Sequence, residues 1–306
     1  MRDQLCAALL TRAANPNMVF LTGDLGFMAL EPLRDAMGDR FINAGVAEQN
    51  MITVAAALAA QRLEVWVYSI APFCYARPFE QIRNDIAFHG LPVNLVGNGG
   101  GYGYGVMGPT HHAIEDYGVL LSLPNITAIV PAFESDVRAA VDWAGDSANP
   151  VYLRLGRGEA PASFEPPPFS PWRQVTHGKG PTVIAMGPIV GTFLAALERL
   201  PVHDRPNVWV ACKLPIAHDA IPTALFKQIA MSSRLCVVEE HVRHGGLGSD
   251  LLLHLAELGK VPAEFIHLYA RAHHFDRYGS QTYLRARSRL DETSLFEALG
   301  ITRVLA

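Results

Sequence analysis

Short apolar runs recur along the chain, each closed by Gly, Pro, Asp or Ser and followed by a longer stretch with helical spacing of apolar positions. In the first half these runs are residues 19–22, 65–69, 93–96, 126–130 and 151–155. They lack polar alternation, which predicts strands buried on both faces. Residues 52–60, 78–88, 112–123 and 135–143 read as the intervening helices. A second set follows, with strands at 182–186, 208–212, 235–238 and 265–269 and helices at 189–200 and 250–258. The alternation predicts an α/β chain of two domains, each a mainly parallel sheet covered by helices. Residues 159–180 include Pro166-Pro167-Pro168 and read as a linker, so the expected domains are 1–158 and 181–306.

Composition supports this division. A chain of 306 residues, 50% hydrophobic and 18% charged, can bury two cores. A net charge of -4 without a long basic run argues against nucleic acid or an anionic membrane as the main partner. The apolar stretches 117–133 and 181–197 are interrupted by Pro124, Pro131, Gly187 and Pro188, which fits strand-turn-helix units better than membrane spans. The four cysteines, Cys6, Cys74, Cys212 and Cys236, form no Cys-x-x-Cys and read as reduced, buried thiols. With no signal-peptide pattern at the start, the expected location is cytoplasmic.

Candidate chemistry is concentrated at Gly45-Val46-Ala47-Glu48-Gln49-Asn50-Met51. A strand-like run delivers the chain to a Gly, and a carboxylate then opens a helix whose body is almost wholly apolar. Water is scarce beside such a body, which makes it an unusual place to leave an acid. On position alone, Glu48 reads equally well as a first-turn carboxylate complementing the helix dipole. A formal G-x-G-x-x-G occurs at residues 103–108, but Pro109 and Thr110 intervene before any helix and no ribose-binding acid follows. It reads instead as a tight loop able to approach a ligand or another chain. The adjacent His111 and His112 lack an acidic cluster to complete a metal site, and no metal ligands are assigned in this chain.

The segment around Glu48 resembles the thiamine diphosphate enzymes of the transketolase family, and the resemblance runs through the whole chain. It covers the pyrimidine-binding domain and the C-terminal domain, about half of the family's usual architecture. In that family the Glu matching Glu48 hydrogen-bonds N1′ of the cofactor's aminopyrimidine and so activates it. Residues 68–83 resemble the segment whose aromatic residues pack on that ring. Phe73 matches best, Ile70 stands where a second aromatic is common, and Tyr75 is a candidate substitute. Arg77 is a further site candidate, with Glu80 as its expected partner across a helix turn. Gly108-Pro109-Thr110-His111 resembles the family's Gly-Pro-Thr-His motif, whose His faces the reacting carbon; the resemblance carries that role to His111. Gly23-Asp24-Leu25 resembles the Ala-Asp-Leu motif, which places Asp24 near the cofactor across the interface between chains; capping of a turn remains the alternative. Arg157 matches an anion-binding Arg, and Arg2 stands where the family has another.

Departures from the pattern bear on the substrate. Met107 replaces an Asp that reads a substrate hydroxyl, an upstream His falls near Gly99, and a phosphate-binding Ser falls near Met28. The chain also lacks the Gly-Asp-Gly motif that, with a downstream Asn, holds Mg2+ and the diphosphate in the family. The resemblance therefore implies one subunit of a split enzyme that transfers a two-carbon ketol unit from a ketose donor to an aldehyde acceptor. Thiamine diphosphate would be bound jointly, with Mg2+ held mainly by a partner carrying Gly-Asp-Gly in a heterotetramer of two copies of each chain. Two other readings share part of the pattern: the β subunit of a 2-oxoacid dehydrogenase E1 component, and a non-catalytic assembly subunit.

Overall fold

The computed structural model describes residues 1–26, 28–157 and 160–301, and the backbone alone of His218. Two α/β units contain one sheet each. The first sheet is built from β1 (Met18–Thr22), β2 (Phe41–Asn43), β3 (Glu64–Ile70), β4 (Val93–Asn98), β5 (Thr127–Ile129) and β6 (Val151–Leu155). The second uses β7 (Trp172–Thr176), β8 (Thr182–Met186) and β9 (Asn207–Ala211); the chain then returns β10 (Lys213–Leu214) to the first sheet before adding β11 (Arg234–Glu239) and β12 (Glu264–Tyr269) to the second. Strand orders are β10-β5-β6-β4-β3-β1-β2 and β12-β11-β8-β9-β7. Among these strands only β10 and β7, each at the edge of its sheet, pair antiparallel.

Continuous apolar strands form because both faces are covered, and their period of two divides the core. Val19, Leu21, Val65 and Val67 pack with the helix Glu48–Ala60. Phe20, Trp66 and Tyr68 face the other way, with Leu5 and Leu9 of the helix Arg2–Arg12. All four cysteines are free and buried, and burial pushes the thiols of Cys74, Cys212 and Cys236 up to about 12. No helix among the described residues is long and apolar enough to cross a membrane.

Three local departures from the predicted elements shape the site. Residues 112–123 do not form one helix: Pro109–His111 is a 3-10 turn, and Ala113 pairs with Gly101 through two 2.8 Å backbone hydrogen bonds. Helix resumes only at Asp116–Leu120. The pairing draws the chain into extended form from His112 onward, after the 3-10 turn. A short helix, Ala71–Tyr75, precedes the predicted one, with Pro72 in its first turn where no amide hydrogen is needed. The Pro-rich stretch runs into β7, the antiparallel edge of the second sheet. The expected boundary between residues 158 and 159 falls on Gly158 and Glu159, which lie outside the described residues.

Register places the carboxyl ends of five parallel strands within two residues of one another. Thr22 pairs with Asn43 and Tyr68, Ile70 with Asn98, and Asn98 with Leu155. Chain order reverses at β1, with β2 on one side and β3, β4 and β6 on the other. Ligands of open α/β sheets bind outside the carboxyl ends at such a reversal. The segments carrying Asp24, Glu48, Phe73, the glycine loop and Arg157 all leave the sheet along this edge.

Candidate active site

The turn before Glu48 is fastened to the end of β1. Ala44 donates to the Thr22 carbonyl at 2.8 Å, and the Asp24 amide donates to the Gly45 carbonyl at 3.2 Å. Gly45 adopts φ +69°, where a side chain would be strained. Asp24 is exposed, and its carboxylate accepts from the Asn43 amide at 3.1 Å. Glu48 opens the helix at 6% exposure. Its carboxylate accepts from Arg77 Nη1 at 2.7 Å. The Arg77 guanidinium carbon lies 3.8 Å from the centroid of the Phe73 ring. On another side, Phe73 meets the His111 imidazole edge to face, with centroids 5.1 Å apart.

Glu48, Arg77, Phe73 and His111 thus form one continuous wall, assembled from three segments that leave different strands. A cavity of about 490 Å3 opens beside it, lined by Val46, Glu48, Gln49, Asn50 and Arg77. Burial and the Arg77 charge both push the His111 pKa down. A neutral imidazole near physiological pH can accept or return a proton. Its Nδ1 is within 3.0 Å of Thr110 Oγ1.

The acid therefore has a cationic neighbour that its apolar helix did not announce. Arg77 pairs with Glu48 rather than with Glu80 as expected. The helix Ala71–Tyr75 stops before Arg77 and Pro78 follows, so no continuous turn brings Arg77 to Glu80. A carboxylate shielded from water also needs a counter-charge more than an exposed one does.

Tyr75 is not part of this wall. Residues two apart on a helix point about 200° from one another, so Phe73 and Tyr75 cannot share a face. Tyr75 is buried and its hydroxyl donates to Glu115 at 3.3 Å. Glu115 also accepts from His273 of the second unit. Ile70 lies, partly exposed, just before the helix Ala71–Tyr75. His112 turns away from His111, is 2% exposed, and stacks against His273 with centroids 5.7 Å apart.

Burial, reinforced by His273 and His274 and opposed by Glu115, pushes the His112 pKa down to about 4. Between about pH 6.5 and that value the unfolded chain takes up a proton that the folded chain refuses. This stability is complete above the window and falls as pH drops through it. His112→Phe is expected to flatten the dependence of the unfolding midpoint on pH over this range. Identical profiles for the two proteins would remove His112 as the cause.

Met107 and Arg157 meet in a second cavity, of about 700 Å3, together with Arg2, Asn98 and Tyr104. Met107 is 52% exposed. The Tyr104 ring covers Gly99, where an added Cβ would come within 2.2 Å of it, and Asn98 donates to the Tyr104 hydroxyl at 2.6 Å. Sequence reading missed this pair; the available signal was a strand-ending Asn followed by an aromatic within a glycine run. The residue 103–108 pattern leads only into short 3-10 turns, Gly105–Met107 and Pro109–His111, and opens no α-helix, in line with its reading as a loop. In the second unit, the helix N-terminus after Gly245-Gly246 is occupied by the chain's own Glu239, which accepts from the Leu247 and Gly248 amides at 2.8 Å.

A family model described as transketolase, pyrimidine binding domain, matches residues 6–162. The chain belongs to the transketolase family. It is 29% identical over 255 residues to one of the subunits of apulose-4-phosphate transketolase from Phocaeicola vulgatus, covering 82% of this chain and 81% of that one. It is 30% identical to 1-deoxy-D-xylulose-5-phosphate synthase 2 of Geobacter sulfurreducens over 82% of this chain, which spans only 40% of that enzyme. Among solved structures, a split gene transketolase described as an inactive beta4 tetramer aligns over 99% of this chain and 98% of its own, with TM-score 0.80 and 29% identity. This chain is accordingly a subunit of a transketolase-type transferase. The likenesses do not support the E1 β-chain or the assembly-protein reading.

Proposed function

We propose that this chain supplies the pyrimidine side of a thiamine diphosphate site and works with a separate subunit that holds the diphosphate and Mg2+. The observation that carries the proposal is the buried Glu48 carboxylate joined through Arg77 to the face of Phe73, with His111 against the same ring. The residues fit an aminopyrimidine. A shielded carboxylate can accept from a nitrogen-bearing edge, and an aromatic face can stack on a flat ring. When bound, thiamine diphosphate supplies the carbon nucleophile that breaks and remakes the bond next to a ketone. Glu48 orients and polarises the ring edge, and Phe73 fixes the ring plane. His111 holds or moves a proton at the donor's oxygen.

Arg157, with Arg2 in the same cavity, grips an anionic tail, while Met107 and Val106 present apolar surface. The substrate is a phosphorylated ketose donating a two-carbon ketol unit to an aldehyde, in keeping with the name of the Phocaeicola vulgatus relative. Residues 1–158 form the pyrimidine-binding domain, and residues 181–306 the C-terminal domain. Asp24, exposed at the same sheet edge, faces the partner, and the assembly contains two copies of each chain.

The test is co-expression with a neighbouring reading frame that carries Gly-Asp-Gly and a downstream Asn. Co-purification and transfer dependent on thiamine diphosphate are expected; transfer that is independent of this chain would defeat the proposal. In that complex, Arg157→Gln is expected to raise KM for a phosphorylated donor by about 10- to 100-fold with little change in kcat. An unchanged KM would move the anion site elsewhere.

A further inference from the structure

Glu48 and Phe73 already share a ligand in the free chain. The Arg77 guanidinium donates to the carboxylate at 2.7 Å, and its carbon lies over the Phe73 ring, 3.8 Å from the centroid. A guanidinium is planar, with N–H donors along its edge and a face that stacks on aromatic rings. An aminopyrimidine offers a buried acid and an aromatic face the same two features. Both cannot occupy one seat.

Arg77 is also built to leave. It lies between Ala76 and Pro78, outside any helix, and 45% of its side chain is exposed. Swinging it outward uncovers Phe73 without moving a strand or a core side chain. Glu48 cannot leave, because it opens a helix packed on the sheet. A shielded carboxylate without a partner is costly, so some group must satisfy it before the cofactor arrives.

We infer that Arg77 is a displaceable placeholder, occupying the Glu48–Phe73 seat in the free chain and yielding it to the cofactor's ring. This rests on the reading of Glu48 and Phe73 proposed above. Displacement lowers the apparent affinity for the cofactor, because only chains with Arg77 swung out are competent to bind. It also gives the acid a counter-charge while the chain awaits its partner.

The experiment compares wild type, Arg77→Gln and Arg77→Lys in the complex with the partner subunit, measuring thiamine diphosphate binding by calorimetry in the presence of Mg2+. Arg77→Gln is expected to bind about tenfold more tightly, roughly the combined worth of one half-exposed ion pair and one cation–π contact. The unfolding midpoint of the free Arg77→Gln chain should fall, since Glu48 loses its counter-charge. Arg77→Lys keeps the charge but not the flat face, and should bind with intermediate affinity even if the Gln variant does not fold. Equal or weaker binding by the variants would make Arg77 a positioning group that stays beside the bound cofactor, and would overturn the placeholder. Failure of the wild-type complex to bind thiamine diphosphate would overturn the cofactor reading itself, and the placeholder with it.

Discussion

Replacing Glu48 with Gln lowers kcat of the assembled enzyme by at least ~10²-fold, even at saturating thiamine diphosphate, with the fold retained. The amide has the carboxylate's shape and can still accept from Arg77, so the helix start and its packing survive. On the proposed reading it lacks the negative charge that would polarise the cofactor's ring edge, and the catalytic step would depend on that charge. Glu48→Ala removes the acceptor as well and is expected to abolish transfer. The check is turnover of reconstituted complexes alongside circular dichroism of each variant. Activity near wild type in Glu48→Gln would end the assignment of Glu48 as the activating acid, whatever the geometry around it.

Replacing Arg154 with Met destabilises the free chain by about 3–5 kcal/mol. Arg154 and Asp116 are both buried, and the guanidinium donates to the carboxylate at 2.7 Å. Tyr152 donates to the same oxygen at 2.8 Å. The guanidinium also donates at 2.9 Å to the Ala113 carbonyl and at 2.9 Å to the Glu240 carbonyl, so one side chain ties the glycine loop's pairing segment to the second unit. Met fills similar volume but leaves the Asp116 carboxylate uncompensated away from water. Adding Asp116→Asn should recover part of the loss, because the stranded charge accounts for most of it. Urea unfolding of the two single variants and the double variant measures this. A loss below about 1 kcal/mol for Arg154→Met would show that water reaches the pair. Gly100 packs against the same guanidinium, where an added Cβ would lie 2.4 Å from Nε, so the loop and the ion pair are expected to fail together.

The strands were legible because burial on both faces leaves no polar alternation, and such runs survive any rearrangement of the chain around them. Glu48 was legible for a related reason: a lone acid at the start of an apolar helix is conspicuous without knowledge of its neighbours. His111 stood out through the Gly-Pro-Thr-His context, and the structure brings it against Phe73. Tyr75 was misplaced because the helix Ala71–Tyr75 was not foreseen, and with it the turn that sends Tyr75 to Glu115. The partner of Arg77 was misjudged because a local rule was applied where Pro78 breaks the helix and a shielded acid 29 positions away competes for the charge.

By itself the sequence determined the local terms: which segments must be buried, where helices start, which side chains can hold a proton or a charge, and the membership of the family that those motifs carry. Tertiary structure alone decided the pairings: Arg77 on Glu48 and Phe73, Tyr104 over Gly99, Glu239 on the Leu247 and Gly248 amides, and Arg154 joining the two units. Burial and capping depend on neighbours a few residues away, and composition records them. A long polar side chain on a loop chooses among partners by distance and desolvation, and both exist only once the strands have set their order and register.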